Sequence, residues 1–237
     1  HHSEVLHEAL ARLVERARRT PDLAEVGHVV LVEDPLLDVH AYVHRWDDRV
    51  LCELVPSASP ERLLHELARA DDHIQRAAPD DVWRVACDEL AALTGYDRVL
   101  GYAMEGQGDG RVVAEALRDA ERHGGERSLL GLAFPAADIP AQARQLYVRS
   151  KARYCPNVAY VPRRVLAAPG ERPVDLSFAQ LRSLSPYHVQ YQRNLGVAAA
   201  SSFSVVVEGE LRVIVDAHEH RQVDAGQGSW LAPVRVL

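Results

Sequence analysis

Hydrophobic positions recur along this chain at two periods, and the switches between them mark its elements. Over residues 3–19, Val5, Leu6, Leu10, Leu13 and Val14 return at a helical spacing with arginines opposite, and Thr20-Pro21 ends the run. Three short strand-like runs follow at 29–32, 39–43 and 49–55, with Asp34-Pro35 closing the first and Asp47-Asp48 turning between the other two. Pro56 to Pro60 reads as a connection, so one domain is expected over 1–58 and a second over 59–237. There the helical period returns over 60–77, with Ser59 as cap and Leu63, Leu64, Leu67 and Ile74 on one face, and again over 80–94 up to Gly95. Strands at 97–104 and 110–117 flank the turn Gly106-Gln107-Gly108-Asp109-Gly110, which precedes neither a helix nor a lysine and so is no phosphate loop. Asp138 is placed to cap a helix running to about Ser150, with Pro140 in its first turn. Ser185 is placed to cap another, with Pro186 first and Gly196 as the stop. Runs at 200–208 and 210–218 form a hairpin about Glu208-Gly209. Helices interleaved with antiparallel strands make the fold class α+β, a sheet flanked by helices behind a short N-terminal helix and strands.

Composition narrows the options. The 237 residues are 47% hydrophobic, enough for one large or two small cores. A net charge of −7 argues against a partner held through nucleic-acid phosphates. No apolar run reaches the roughly 18 residues of a membrane span, and no signal peptide is visible, so a cytoplasmic protein without a membrane partner is expected. Cys52, Cys87 and Cys155 are odd in number and widely spaced, which speaks against a disulfide framework or a zinc site.

Candidate chemistry concentrates in two stretches. In the first, Phe134, Tyr147 and Arg153 surround the segment Asp138-Ile139-Pro140. Proline lacks an amide donor, so the carbonyls before it can face a ligand, although Asp138 can equally be only a cap. In the second, His188, Tyr191 and Leu195 share one helix face, while Ser202 and Ser204 alternate onto one face of the following strand, with Arg182 just ahead. This set suits a flat, mostly apolar ligand with carboxylates; satisfied core residues with local partners are the plainer reading of His188 and Tyr191. Asp216, His218 and His220 share a strand parity, with His40 and His44 as further imidazoles, but no metal site is expected there. Ser185 and His188 stand one turn apart, yet a serine in that place is a cap first, so no hydrolase is expected.

The stretches Phe134-Pro-Ala-Ala-Asp-Ile-Pro-Ala-Gln-Ala-Arg144 and Leu181-Arg-Ser-Leu-Ser-Pro-Tyr-His-Val-Gln-Tyr-Gln-Arg-Asn-Leu-Gly-Val197, with Tyr96-Asp97-Arg98-Val99 ahead of them, resemble the chromophore-binding GAF domain of phytochromes, bacteriophytochromes in particular. The resemblance covers about residues 80–218, with Ala137 where serine is usual. It implies a bilin, a linear tetrapyrrole such as biliverdin, as the small-molecule partner. It also implies that the Asp138 carbonyl accepts from pyrrole N–H groups and that Ile139 and Pro140 pack on the rings. Arg153 and Arg182 would pair with the propionates, helped by Ser185, Ser202 and Ser204. His188 would meet the central rings through water, and Tyr102, Tyr147 and Tyr191 would shape the pocket. His218 matches the histidine that meets the terminal ring's carbonyl. Bidentate arginine–carboxylate pairs would offset the cost of burying those acids.

The chain departs from that family in three ways. Tyr187 stands where plant and cyanobacterial phytochromes carry the attachment cysteine, and no cysteine precedes Cys52. Val26 to Glu33 and Val43 to Pro56 resemble the first and last strands of the family's PAS domain, but only about ten residues separate them, so residues 1–58 read as a truncated PAS-like remnant. Arg221 to Leu237 do not follow the family pattern, and no PHY domain or kinase is expected. The expectation is a bilin held non-covalently in a photosensory or light-dependent module. Its alternatives are a carrier or an enzyme using the pocket on a tetrapyrrole or other planar acid, with His188 or Tyr191 as general acid or base, and an interaction module that forms a homodimer through its helices.

Overall fold

In a computed structural model of the protein, the described residues are 29–34, 39–46, 49–56, 60–105, 109–118, 128–166, 169–179 and 181–220, with parts of a helix between 8 and 19. Glu8, Ala11, Arg12, Val14 and Glu15 are helical there, while Val5, Leu6, Leu10 and Leu13 lie outside the described residues, as do Pro35, Asp47-Asp48, Ser59, Gly106 to Gly108 and Arg221 to Leu237. The chain divides into two compact units. One holds the residues up to Ala58 together with Val161–Ser183; the other holds Ser59–Tyr160 and the chain from Leu184 onward. The pattern along the sequence gave no sign of the excursion over Val161–Ser183 out of the expected run 59–237.

The first unit is built on β1 (Val29–Asp34), β2 (Val39–Trp46) and β3 (Arg49–Pro56), an antiparallel sheet in that order. Tyr42, Val43 and His44 are buried in it. The excursion is tied to it by polar contacts. The Leu181 amide donates to the Glu53 carboxylate at 2.5 Å, and the Arg49 guanidinium donates to the Arg172 carbonyl at 3.1 Å. The rings of His44 and Phe178 lie 6.0 Å apart.

The second unit contains α1 (Pro60–Arg76), α2 (Val82–Thr94), α3 (Ala141–Arg149) and α4 (Pro186–Asn194) around a sheet of six strands. Its strands are β4 (Arg98–Glu105), β5 (Asp109–Leu117), β6 (Ala133–Phe134), β7 (Ala152–Cys155), β8 (Ala199–Val207) and β9 (Glu210–Glu219), all antiparallel in the order β6-β5-β4-β9-β8-β7. Helix α2 lays Cys87, Leu90 and Ala91 on the sheet and stops at Gly95, whose φ of +74° few side-chain-bearing residues adopt. Gly101 lies under the same helix, where an added Cβ would sit 3.4 Å from that of Ala114 and 3.5 Å from the Cys87 sulfur. Helix α1 is tied to α2 through Glu89, which takes Arg69 at 2.8 Å and His73 at 2.6 Å.

Two expected caps are corrected. Asp138 does not cap α3: its own amide donates to the Pro135 carbonyl at 2.9 Å, and this turn moves the helix start to Ala141, with Pro140 in the cap position and no side-chain cap bond. Ser185 occupies the cap position of α4 with Pro186 behind it, but its hydroxyl makes no cap bond; the helix end is held by backbone bonds through Leu195 and Gly196.

Candidate functional site

Strand pleating sorts the six-stranded sheet into two sets of side chains. One set, with Val99, Ala114, Ala116, Tyr154, Val213, Val215 and Ala217, meets α2 in a single apolar cluster. The other set follows from the register. Arg153, Ser202, Asp216, Leu100 and Glu115 form a row across β7, β8, β9, β4 and β5. Ser204, Ile214, Tyr102 and Val112 form the next row. Val112 joins it because the β4–β5 register shifts between Gly101 and Tyr102, setting Val112 rather than Val113 opposite Tyr102. On the other side of the first row stand His218, Ala200, Cys155 and Arg98.

Apolar packing gathers part of the second face. Leu100, Tyr102, Val112 and Ile214 form a buried cluster that Phe134, Ile139 and Tyr147 join. The Tyr102 and Phe134 rings meet edge-on at 5.1 Å. The Arg153 guanidinium stands over the Tyr147 ring, 5.8 Å from its centre. Near α4, Cys155, Val158, Val189, Val197 and Ala200 form a smaller cluster that anchors the helix against β7 and β8.

A polar chain crosses the same face. The Ser202 hydroxyl donates to Asp216 Oδ1 at 2.6 Å, and His218 Nε2 lies 2.9 Å from Asp216 Oδ2. Burial opposes ionisation of Asp216, but attraction to His218, the bonds from His218 and Ser202, and the nearby His188 outweigh it, so its pKa is lowered. An ionised carboxylate only accepts, so Nε2 of His218 carries the proton. Burial pushes the phenols the other way: Tyr102 is raised, with Asp216 and Tyr191 adding to it, and Tyr191 is pushed up to about 12, with Asp138 and Asp216 adding. Arg98 and Glu115, both buried, pair at 3.4 Å, and Leu129 donates its amide to the same Glu115.

Among the described residues, the polar atoms on this face that are buried without a hydrogen-bond partner include Arg153 Nη2 and Ser204 Oγ. Buried polar groups in folded proteins are almost always satisfied, by protein or by ordered water, so these two atoms are open to a further partner. Both residues come from the set expected to meet a carboxylate.

The structure thus brings Tyr102, Phe134, Ile139, Tyr147, Arg153, Ser202, Ser204 and His218 to one sheet face, with His188 and Tyr191 of α4 within electrostatic reach of its Asp216. Asp138 is exposed, near enough to Tyr191 to raise its pKa, and Pro140 is exposed. The carbonyl freed ahead of Pro140 is not open throughout: Ile139 accepts from the Arg144 guanidinium at 2.6 Å. Arg182 belongs to the excursion grouped with the first unit, and Ser185 is exposed. The trio Asp216, His218 and His220 does not converge: Asp216 takes His218, while His220 Nδ1 turns to the Gly196 carbonyl at 3.2 Å. No group of three or more metal-ligating side chains occurs among the described residues. Asp216 itself escaped the sequence reading as a site residue; its strand parity with Ser202 and His218 was the available signal.

No protein-family model matches the chain. It is 44% identical over 134 residues to a bacteriophytochrome of Pseudomonas aeruginosa, covering 55% of this chain and 18% of that protein. It is 37% identical over 191 residues to a bacteriophytochrome of Xanthomonas campestris, covering 76% and 28% respectively. The chromophore-binding domain of a Stigmatella aurantiaca bacteriophytochrome, solved as a point mutant in the Pr state, superposes with a TM-score of 0.76 at 31% identity over 97% of this chain and 78% of that one. The antiparallel sheet flanked by helices is thus matched at this level by a phytochrome chromophore-binding domain. The chain belongs to the phytochrome family and is bacteriophytochrome-like. It spans 18 and 28% of the length of the two curated relatives.

Proposed function

We propose that this chain binds a linear tetrapyrrole of the biliverdin type non-covalently and serves as a photosensory module. The observation that carries the reading is the pair of unsatisfied buried atoms, Arg153 Nη2 and Ser204 Oγ, beside an apolar cluster of Tyr102, Phe134, Ile139 and Tyr147. A flat pigment with acid side chains supplies what both lack: a carboxylate for the cation and hydroxyl, and ring surface for the apolar cluster. Arg153 would hold a propionate with Ser202 and Ser204 near it. The Asp138 carbonyl would face the pyrrole nitrogens, Ile139 and Pro140 the rings. When bound, the pigment supplies light absorption and a bond that isomerises; the protein's own residues bind, orient and exclude water.

The thiols support non-covalent attachment. Burial pushes Cys87 up to about 12 and Cys155 up to about 11, and it raises half-buried Cys52 as well, so none offers a ready thiolate. Tyr187, at the position where plant and cyanobacterial phytochromes carry the attachment cysteine, is 88% exposed. No observation favours an enzyme that turns over a planar acid.

Biliverdin added at micromolar concentration to the purified protein should give a red-shifted, sharpened absorption band, and acid denaturation should release the pigment unattached. Arg153→Ala and Ser204→Ala should each weaken binding. An unchanged pigment spectrum would sink the reading, and pigment that stays on the denatured chain would sink its non-covalent part.

A further inference from the structure

Asp216 is an ionised side chain at the middle of the mixed sheet face, and the binding reading above gives it no task. We propose that Asp216 is the counter-ion of the site, selecting a pigment whose conjugated nitrogens carry an added proton. The inference rests on the proposed binding of a tetrapyrrole and specifies the charge state that the site takes.

The geometry is as follows. Asp216 stands in the row of Arg153 and Ser202, between the row of Tyr102 and Ser204 and the row of His218. Each of its oxygens is engaged once, by Ser202 at 2.6 Å and by His218 at 2.9 Å. A carboxylate offers about four acceptor sites, so about two remain. Its side chain keeps 19% of its surface open, while His218 behind it keeps 5%. The carboxylate is therefore the member of the pair that a ligand on this face can touch. The groups facing it are His218 on its own strand, Ser202 on β8, Tyr102 and Arg98 on β4, and His188 and Tyr191 on α4. Arg98 is engaged by Glu115, and the two phenols are neutral over the ordinary pH range because burial raises both.

A pigment laid on this face brings acids for the guanidinium groups and basic nitrogens in the ring system. An anion fixed beside those nitrogens stabilises their protonated form, since an opposite charge within about 4–6 Å moves a pKa by one to three units. The same anion disfavours a neutral or oxygen-rich planar ring, which would leave the carboxylate uncompensated. Asp216 would thus discriminate among planar acids of similar shape, a choice that Arg153 alone does not make.

Biliverdin-loaded protein titrated between mildly acidic and alkaline pH reads the effect through the absorption band of the protonated pigment. In Asp216→Asn, which keeps the shape and an acceptor for His218, the midpoint for loss of that band should fall by about one unit or more, a tenfold shift in the proton equilibrium. His218→Gln keeps the carboxylate, so its midpoint should stay above that of Asp216→Asn. Melting of the pigment-free variants checks that both fold. If wild type gives no band at all, the binding reading fails and takes this inference with it. If wild type binds and Asp216→Asn keeps the wild-type midpoint, or falls less than His218→Gln, the counter-ion role alone is overturned.

Discussion

The two faces of the six-stranded sheet are made from the same strands, yet they solve opposite problems. Against α2, small side chains such as Ala114, Ala116 and Ala217 let the helix sit close, and the buried Tyr96 hydroxyl is satisfied by Ser201 at 3.2 Å. On the other face, two carboxylates, two arginines, two serines and a histidine share the surface with Leu100, Tyr102 and Ile214, and Arg153 Nη2 and Ser204 Oγ are buried without a hydrogen-bond partner among the described residues. The first arrangement stabilises the fold unaided. The second leaves polar atoms open to a further partner, as the proposed binding of a pigment requires.

Substitutions should separate these roles. The largest stability loss is expected for Leu90→Ala on the α2 side, about 2–4 kcal/mol by denaturant titration, with biliverdin affinity of the folded fraction unchanged. Comparable damage to binding from this variant would dissolve the distinction between the faces. Arg153→Ala should do the reverse. Binding should weaken about tenfold or more, roughly 1.4 kcal/mol, while the pigment-free protein keeps its melting temperature within a few degrees. A smaller loss, about 1 kcal/mol, is expected for Gly95→Ala, because the left-handed turn that ends α2 strains any side chain. The smallest effect should be a pH dependence. The folded pKa of Asp216 lies below its ordinary 3.8, so its contribution is fully present above that value and is lost as pH falls through the folded pKa. Acid unfolding of Asp216→Asn should therefore be shallower below about pH 4 than that of wild type; equal slopes would show that the carboxylate is not held by His218 and Ser202.

What could be read in the sequence was what local chemistry encodes. The hairpin at Glu208-Gly209 was legible because its turn needs positive φ, and both residues adopt it. The ends of α4 were legible from Pro186 and Gly196. The family was legible from two long motifs. Long-range matters were not. Alternation alone grouped His220 with Asp216 and His218, but β9 ends at Glu219 and the His220 ring meets the Gly196 carbonyl, 24 residues away. Asp138 had the credentials of a cap until the turn closed on Pro135 displaced the helix start. The grouping of Val161–Ser183 with the first unit rests on contacts such as Leu181 with Glu53, 128 residues apart, which no window of sequence can contain.

That last feature bears on how the chain matures on the ribosome. The excursion leaves after Tyr160 and returns at Leu184, where the Leu184 amide closes on the Tyr160 hydroxyl at 2.7 Å. The N-terminal unit therefore cannot complete itself as soon as it emerges, the usual vectorial order for multidomain proteins. It must wait until residue 183 is free of the exit tunnel, by which time β4 to β7 have been made. Birth of the two units is thereby interlocked in time, and a pause in translation ahead of residue 183 would hold both immature together.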